Sequence, residues 1–189
     1  VTEPTPFGLH DLKLAVANAN QVKYHMGCDV TLVTDQFSVD QYLEKHGEVP
    51  HDVIIVSRPH KKNSRIYRNT NQHHHKLTFH NTGRTRAYDI TPYQETILID
   101  ADLLVLGNSL DLCWESSEPL MINHDYQDVY AGRPGNGLSR LHPLGIRMYW
   151  ATQIYFRKSP QAAMYFELAK YVHENYDYLQ KLYQWQGSM

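Results

Sequence analysis

The sequence predicts an α/β protein in which helices and strands alternate along the chain. Two short apolar runs, DVTLVTD (29–35) and DVIIVSRP (52–59), are typical of strands, and segments with helical spacing precede and separate them. Strands that are continuous apolar runs separated by helices favour a parallel arrangement covered on both faces. We therefore expect a mostly parallel central sheet flanked by helices.

The first half of the chain follows the order helix, strand, helix, strand. Residues 9–26 form the first predicted helix, which Gly27 ends, and the second predicted helix begins with Ser38 as its N-cap and closes at Gly47. Pro59 ends the second strand. The first helix has its apolar residues at helical spacing: Leu12, Val16, Ala19, Val22 and Met26.

The second half begins with a stretch that has no clear period. Residues 60–82 are rich in Asn, Lys, Arg and His, and we expect them to form a long loop or excursion. The elements predicted after it are a turn or short helix (86–93), a strand (97–106), a short helix (107–115), a strand (119–126), a Gly/Pro-rich loop (131–145), a strand (146–158), and a last helix capped by Ser159 with Pro160 first, which runs through Met164, Leu168, Ala169 and Val172.

Length and composition indicate one domain over residues 1–189, with ends that fit a longer chain, since it begins with Val1 and not Met. The formal net charge is −2, so the overall balance does not point to nucleic acid or an anionic membrane. Cys28 and Cys113 lack paired spacing and are interpreted as buried thiols in a reducing compartment, not as a disulfide framework or a zinc site. Without a signal peptide or an apolar run of about 20 residues, a cytoplasmic protein without a membrane span is expected.

Two carboxylates, Asp100 and Asp102, interrupt the apolar run ILIDADLLVL (97–106). Side chains two apart on a strand point to the same face, so this spacing predicts that the pair shares one side. Oxygen ligands suit a hard cation, and Mn²⁺ or Mg²⁺ there would neutralise a diphosphate bound beside it. The alternative is that one Asp caps the next segment while the other pairs with a basic residue.

The block YDITPYQETILIDADLLVLGNSLDL (88–112) resembles the central block of nucleotide-sugar glycosyltransferases of the GT-A fold, particularly the glycogenin-like family. The first helix with VTLVTD (30–35) resembles the start of that family, and MYWATQIYFRKSPQAAMYFELAKYV (148–172) resembles its later strand and helix. A group of uncharacterised phage and marine-virus proteins of the superfamily is more similar still. The resemblance implies a GT-A-like, Rossmann-like sheet and a host cytoplasmic location if the protein is viral.

The resemblance also implies a donor site over the carboxyl ends of the strands. Asp100 and Asp102 would hold the metal that bridges the diphosphate of the nucleotide sugar. Asp35 would contact the nucleoside, or else serve as a helix cap or turn residue. Arg84 and Arg86 would face the phosphates or the sugar, or else form a solvated surface pair.

The chain departs from the family at both ends. Only VTEPTPF (1–7) precedes the first helix, where the family has a strand and a nucleotide-contacting loop, and the chain stops at Met189, before the place of a distal His ligand. The third metal ligand and the catalytic base are therefore unassigned. His124 and Asp125 are candidates for the same cleft, although a turn role fits them as well. The family resembled retains the anomeric configuration.

The acceptor is open among a glycan, a protein and a modified DNA base. A solvated loop is one interpretation of the basic stretch within 60–82, and a surface for DNA or another polyanion is the other. That stretch contains Lys61, Lys62, Arg65, Tyr67, Arg68, His73, His74 and His75. Trp114 and Trp150 suit either stacking on sugars or bases, or a place in the core.

We therefore expect a metal-dependent glycosyltransferase of the hexosyltransferase type. The alternative is a non-catalytic viral structural or carbohydrate-binding protein that retains the GT-A fold. A nucleotidyltransferase, which uses a similar sheet and metal, is a third and weaker hypothesis; it would cleave the bond between phosphates.

Overall fold

A computed structural model describes residues 8–56, 63–68, 74–79, 82–123, 126–128, 133–135 and 149–182. The chain divides into two compact units, and each combines two separate stretches of sequence. The first unit contains Val1–Arg58 and Leu98–Ser117, and the second contains Pro59–Ile97 and Glu118–Met189. One domain over residues 1–189 stays a prediction.

The helices and strands alternate through much of the chain. In chain order they are α1 (Gly8–Met26), β1 (Thr31–Thr34), α2 (Gln36–His46), β2 (Asp52–Ile55), β3 (Asn63–Arg68), β4 (His74–Phe79), α3 (Ala87–Ile90), β5 (Glu95–Ile99), β6 (Leu120–Asn123), β7 (Tyr126–Asp128), β8 (Arg133–Gly135), β9 (Trp150–Arg157), α4 (Pro160–Glu174) and α5 (Tyr176–Leu182). Two 3₁₀ helices, Thr82–Arg86 and Ser109–Cys113, lie before α3 and after β5. The predicted short helical segments near 86–93 and 107–115 are thus confirmed.

The first unit begins with the predicted order of α1, β1, α2 and β2. Strands β1 and β2 pair in parallel, from Thr31 opposite Asp52 to Thr34 opposite Ile55. The apolar face predicted for α1 is buried at its first four positions. The core of this unit consists of Leu12, Val16, Ala19, Leu32 and Tyr42.

At the ends of α2, the predicted C-terminal cap is confirmed and the predicted N-terminal cap is wrong. Gly47 ends the helix as predicted, with a φ of 82° that suits glycine. The N-cap is Asp35, whereas Ser38 is buried inside the first turn of the helix. Ser38 was predicted as the cap because both residue types favour that position, and the preceding carboxylate takes it here.

The second unit contains a strand pair where the sequence predicts a long loop. β3 and β4 pair antiparallel, from Asn63 opposite Phe79 to Arg68 opposite His74. Two adjacent strands satisfy each other's backbone groups without requiring an alternating apolar pattern. The polar composition of residues 60–82 therefore conceals the pairing, and the loop prediction is wrong for these two segments.

A three-stranded sheet has the order β5, β9, β6, with β6 antiparallel to β9. The backbone N–H of Lys158 donates to the carbonyl of Gln94 at 2.8 Å, which ties the end of β9 to the start of β5. A further antiparallel pair joins β7 and β8. β9 confirms the strand predicted within 146–158, while β8 occupies part of the segment predicted as a loop (131–145).

The core of the second unit is aromatic. Phe156 of β9 is fully buried, and its ring centroid lies 4.8 Å from that of Phe166 on α4, in an edge-to-face arrangement. The ring of Tyr88 on α3 lies 5.9 Å from each of them. This cluster packs α3 and α4 against the sheet.

The start of α4 confirms the sequence prediction, and the structure adds which face of the helix is buried. The Oγ of Ser159 accepts a hydrogen bond from the N–H of Ala162 at 3.2 Å, and Pro160 is the first helical residue. Ala162 and Phe166 are buried in the helix, whereas Met164 and Leu168 are 69% and 58% exposed. Apolar residues occur all around this helix, so periodicity alone does not select the face that packs.

The mixed α/β class is confirmed. The described strands form a small parallel pair and separate antiparallel pairings, and the mostly parallel GT-A sheet stays a prediction. Within the described ranges, no helix combines the length and apolar character that crossing a membrane requires.

Candidate functional site

Asp100 and Asp102 lie in a turn directly after the carboxyl end of β5. The strand ends at Ile99, and the N–H of Leu103 donates to the carbonyl of Asp100 at 3.1 Å. The predicted strand over 97–106 is therefore too long, and strand alternation does not place the two carboxylates on one side. Asp favours turns because its short polar side chain competes for backbone groups, which is consistent with the strand ending here.

A buried asparagine on α1 holds this turn. Asn18 is only 5% exposed, and its amide bonds two backbone groups of the same unit. Its Nδ2 donates to the carbonyl of Asp100 at 3.5 Å, and its Oδ1 accepts from the N–H of Val105 at 3.4 Å. The segment from Asp100 to Val105 is thus fixed to α1 at both ends.

The sequence contains a signal for Asn18. Asn18 lies beside Ala19 on a helix whose buried residues also include Val16 and Val22. A primary amide among such residues needs hydrogen-bond partners, because burying it without them is unfavourable. Its partners are 82 and 87 residues away, so the sequence does not identify them.

The turn presents one carboxylate to solvent. Asp102 and its neighbour Ala101 are exposed, while Asp100 is half-buried. The carbonyl of Asp100 accepts both the turn bond and the bond from Asn18. The backbone is therefore constrained where the exposed carboxylate projects, which suits binding of a hard cation through oxygen.

The described residues hold no cluster of three or more His, Cys, Asp or Glu that could bind a metal. Asp100 and Asp102 therefore supply a pair of carboxylates at most from that part of the chain. Such a pair fits Mg²⁺, which commonly binds through one or two carboxylates, several waters and substrate phosphates. The candidate ligands His124 and Asp125 lie outside the described residues.

Asp35 takes the helix-cap role that the sequence left open. It follows Thr34, the last residue of β1, and so lies at the carboxyl end of the parallel pair. Its Oδ1 accepts from the N–H of Ser38 at 3.1 Å, and its Oδ2 accepts from the Oγ of Ser38 at 3.0 Å. A contact between Asp35 and a nucleoside stays a prediction.

Arg84 and Arg86 belong to the 3₁₀ helix that precedes α3. Arg84 is half-buried, and its Nη1 donates to the carbonyl of Ala151 on β9. Arg86 is exposed. Both belong to the second unit, whereas Asp35, Asp100 and Asp102 belong to the first. Their phosphate role stays a prediction.

Glu95 forms a small polar cluster that the sequence analysis did not identify. The Nε of Arg157 donates to its Oε1 at 2.8 Å, and the hydroxyl of Tyr155 donates to its Oε2 at 3.1 Å. Burial, followed by the hydrogen bond to Glu95, raises the pKa of Tyr155, and the hydrogen bond to Glu95 raises the pKa of Arg157. These groups join the first residue of β5 to the end of β9, which is a structural role.

Cys28 and Cys113 are free thiols, and each is half-buried where the sequence predicts a buried one. Burial raises the pKa of the Cys28 thiol, and the charges of Asp111 and Asp29 raise it further. A thiol with a raised pKa is a weak nucleophile at neutral pH.

The basic stretch is described only in part. Arg65, Tyr67 and Arg68 lie in β3, and His74 and His75 lie in β4. Lys61, Lys62 and His73 lie outside the described residues, and so does the side chain of Trp150. Trp114 is half-buried.

Comparison of the chain with known protein families, with curated proteins and with solved structures finds no match. The features of the chain that bear on function are the turn that carries Asp100 and Asp102 and the buried Asn18 that holds it.

Proposed function

We propose that the chain is a metal-dependent glycosyltransferase of the GT-A type, which moves a sugar from a nucleotide-diphosphate donor to an acceptor. One observation carries the proposal: the Asp100–Leu103 turn follows the carboxyl end of a strand, is fixed by Asn18 and exposes Asp102. Ligands of open, mostly parallel α/β sheets commonly bind at the carboxyl ends of the strands. The parallel pair β1 and β2, with Asp35 after β1, is consistent with this arrangement.

Asp100 and Asp102 are the proposed ligands of Mn²⁺ or Mg²⁺, which would supply positive charge next to the departing diphosphate. Asn18 keeps the backbone of the turn in place, so little reordering is needed when the site is filled. A carboxylate oxygen has room for more than one donor, so Asp35 can cap α2 and still accept a bond from a nucleoside hydroxyl. Arg84 and Arg86 are the candidates for phosphate contacts.

The proposed reaction is a substitution at the anomeric carbon of the donor sugar. The acceptor hydroxyl forms the new bond to that carbon, the bond from the carbon to the phosphate oxygen breaks, and the nucleoside diphosphate leaves with the electron pair. The proton of the acceptor hydroxyl passes to the departing diphosphate or to solvent. Stabilisation of the leaving group is mainly electrostatic. No residue is assigned as the catalytic base.

Isothermal titration of UDP and GDP into the purified chain tests the donor site. We expect binding with Mn²⁺ and none with EDTA. Asp102→Asn should weaken binding at least about tenfold, because the substitution removes a charged ligand. Asp52→Asn is the matched control, because Asp52 is also exposed but begins β2, at the amino end of the parallel pair. It should leave the affinity unchanged.

Two results would argue against the proposal. If neither nucleotide binds under any condition, the non-catalytic carbohydrate-binding or structural protein becomes the better account. If Asp52→Asn weakens binding as much as Asp102→Asn does, the effect is one of overall charge and not of the turn.

A further inference from the structure

The charges of this chain are distributed very unevenly. Of its 18 Lys and Arg residues, eight lie between Val53 and Tyr88, and none of its 20 Asp and Glu residues does. The other ten Lys and Arg residues share the rest of the chain with all 20 acidic residues. The eight are Arg58, Lys61, Lys62, Arg65, Arg68, Lys76, Arg84 and Arg86. A net charge near zero thus conceals a strongly basic segment.

The pairing of β3 with β4 brings three of these residues together. Lys76 lies opposite Ile66, which is one residue from Arg65 and two from Arg68. With adjacent strands about 5 Å apart and a rise of about 3.3 Å per residue, the Cα atoms of all three lie within about 10 Å of one another. Residues that are opposite each other or two apart share a face of a strand pair, so Arg68 and Lys76 lie on one face and Arg65 lies on the other. One strand of DNA carries a phosphate about every 3.4 Å along its axis, so the spacing of Arg68 and Lys76 matches phosphates a few steps apart on one strand.

We propose that the β3–β4 pair is a nucleic-acid-binding surface. Its basic residues are interleaved with residue types that suit nucleic acid better than an acidic protein. Asn63, Ser64 and Thr78 supply hydrogen-bonding groups for phosphate and sugar oxygens, and Tyr67 supplies an aromatic ring on which bases stack. The absence of acidic residues throughout 53–88 removes repulsion from the phosphates.

This inference goes beyond the transferase proposal and does not depend on it. Lys and Arg bind phosphates and displace counterions without a metal, so the interaction is measurable in EDTA and without nucleotide. If the donor-site experiment fails, the proposed nucleic-acid-binding surface is unaffected. If no DNA binds, the proposed donor site is unaffected.

Fluorescence anisotropy with labelled DNA of about 20 nucleotides, single-stranded and duplex, tests the surface at salt concentrations from about 50 to 200 mM. The test variant is Arg65→Gln/Arg68→Gln/Lys76→Gln. The control is Lys13→Gln/Lys45→Gln/Lys170→Gln, which removes the same charge from exposed positions on α1, α2 and α4. We expect the test variant to bind DNA at least about tenfold more weakly, and the slope of log affinity against log salt concentration to correspond to about two to three fewer released ions. The affinity of the control variant should stay within about twofold of that of the original chain.

A second variant separates charge from folding. Arg65→Lys/Arg68→Lys retains the charges and should keep the salt dependence of the original chain. If circular dichroism shows that the triple variant is unfolded, the single variants Arg68→Gln and Lys76→Gln replace it. Each should reduce the number of ions released on binding by about one.

Three results would overturn the proposal: no binding at about 50 mM salt, equal weakening in the control triple variant, or binding of heparin and polyglutamate as tight as that of DNA. The last result would identify a surface for polyanions in general and not for nucleic acid.

Discussion

At the scale of single residues, Asn18 is the side chain on which the candidate site most depends. A buried amide that bonds Asp100 and Val105 replaces the strand pairing that the sequence predicts for this segment. At 3.5 and 3.4 Å, both bonds are longer than the usual N–H···O distance of about 2.7–3.2 Å, so the two together, and not either one alone, define the position of the turn.

Asn18→Ala should release the turn. The substitution leaves the buried N–H of Val105 without this partner, so we expect the free energy of unfolding to fall by about 1 to 3 kcal/mol. Hydrogen exchange at the Val105 amide should accelerate, and urea unfolding gives the loss of stability. Asn20→Ala is the control, because Asn20 is an exposed residue of the same helix that bonds His51. Unchanged protection of Val105 in Asn18→Ala would show that the amide does not hold this segment.

Local roles were predictable from the sequence, but distant partners were not. Ser159 and Gly47 were assigned as helix ends because their neighbours in sequence determine those roles. For Asp35 the cap remained one of two alternatives. Asn18 and Glu95 were not assigned, because their partners lie 60 or more residues away and their roles appear only after the chain has folded.

At the scale of elements, α4 shows how a helix can be located without identifying its buried face. Ser159 and Pro160 predict its start, and the sequence predicts that it runs through Met164, Leu168, Ala169 and Val172 without assigning a buried face. The structure buries Ala162 and Phe166. Since the helix carries apolar side chains on several faces, the choice depends on the shape of the neighbouring sheet.

Substitutions in α4 distinguish the two faces. Phe166→Ala should lower the free energy of unfolding by about 3 to 5 kcal/mol, because it leaves a cavity beside Phe156. Met164→Ala, which shortens an exposed side chain on the same helix, should change it by no more than about 0.5 kcal/mol. Urea unfolding of both variants gives the comparison. Equal losses would show that the helix packs through both faces.

At the scale of the whole molecule, the sequence predicts the α/β class but not the way the chain is divided. Each compact unit combines two stretches that are far apart in sequence, and β5 has its first residues in one unit and its last two in the other. Hydrophobic periodicity indicates which face of a segment is buried, but it does not identify the other segment that packs against that face. The parallel β1–β2 pair was predicted because its strands and helices alternate within a short stretch, whereas the polar β3–β4 pair carries no such signal.

The most direct test of the central claim is the product formed from a nucleotide sugar. UDP- and GDP-hexoses are incubated with the chain and Mg²⁺, with water or an added sugar as acceptor, and the nucleotides are separated by anion exchange. We expect the nucleoside diphosphate to form, to be absent with EDTA, and to fall at least about tenfold in Asp102→Asn but not in Asp52→Asn. A nucleoside monophosphate product, which cleavage of the bond between the two phosphates by water would give, would contradict the account, as would diphosphate release that Asp102→Asn leaves unchanged.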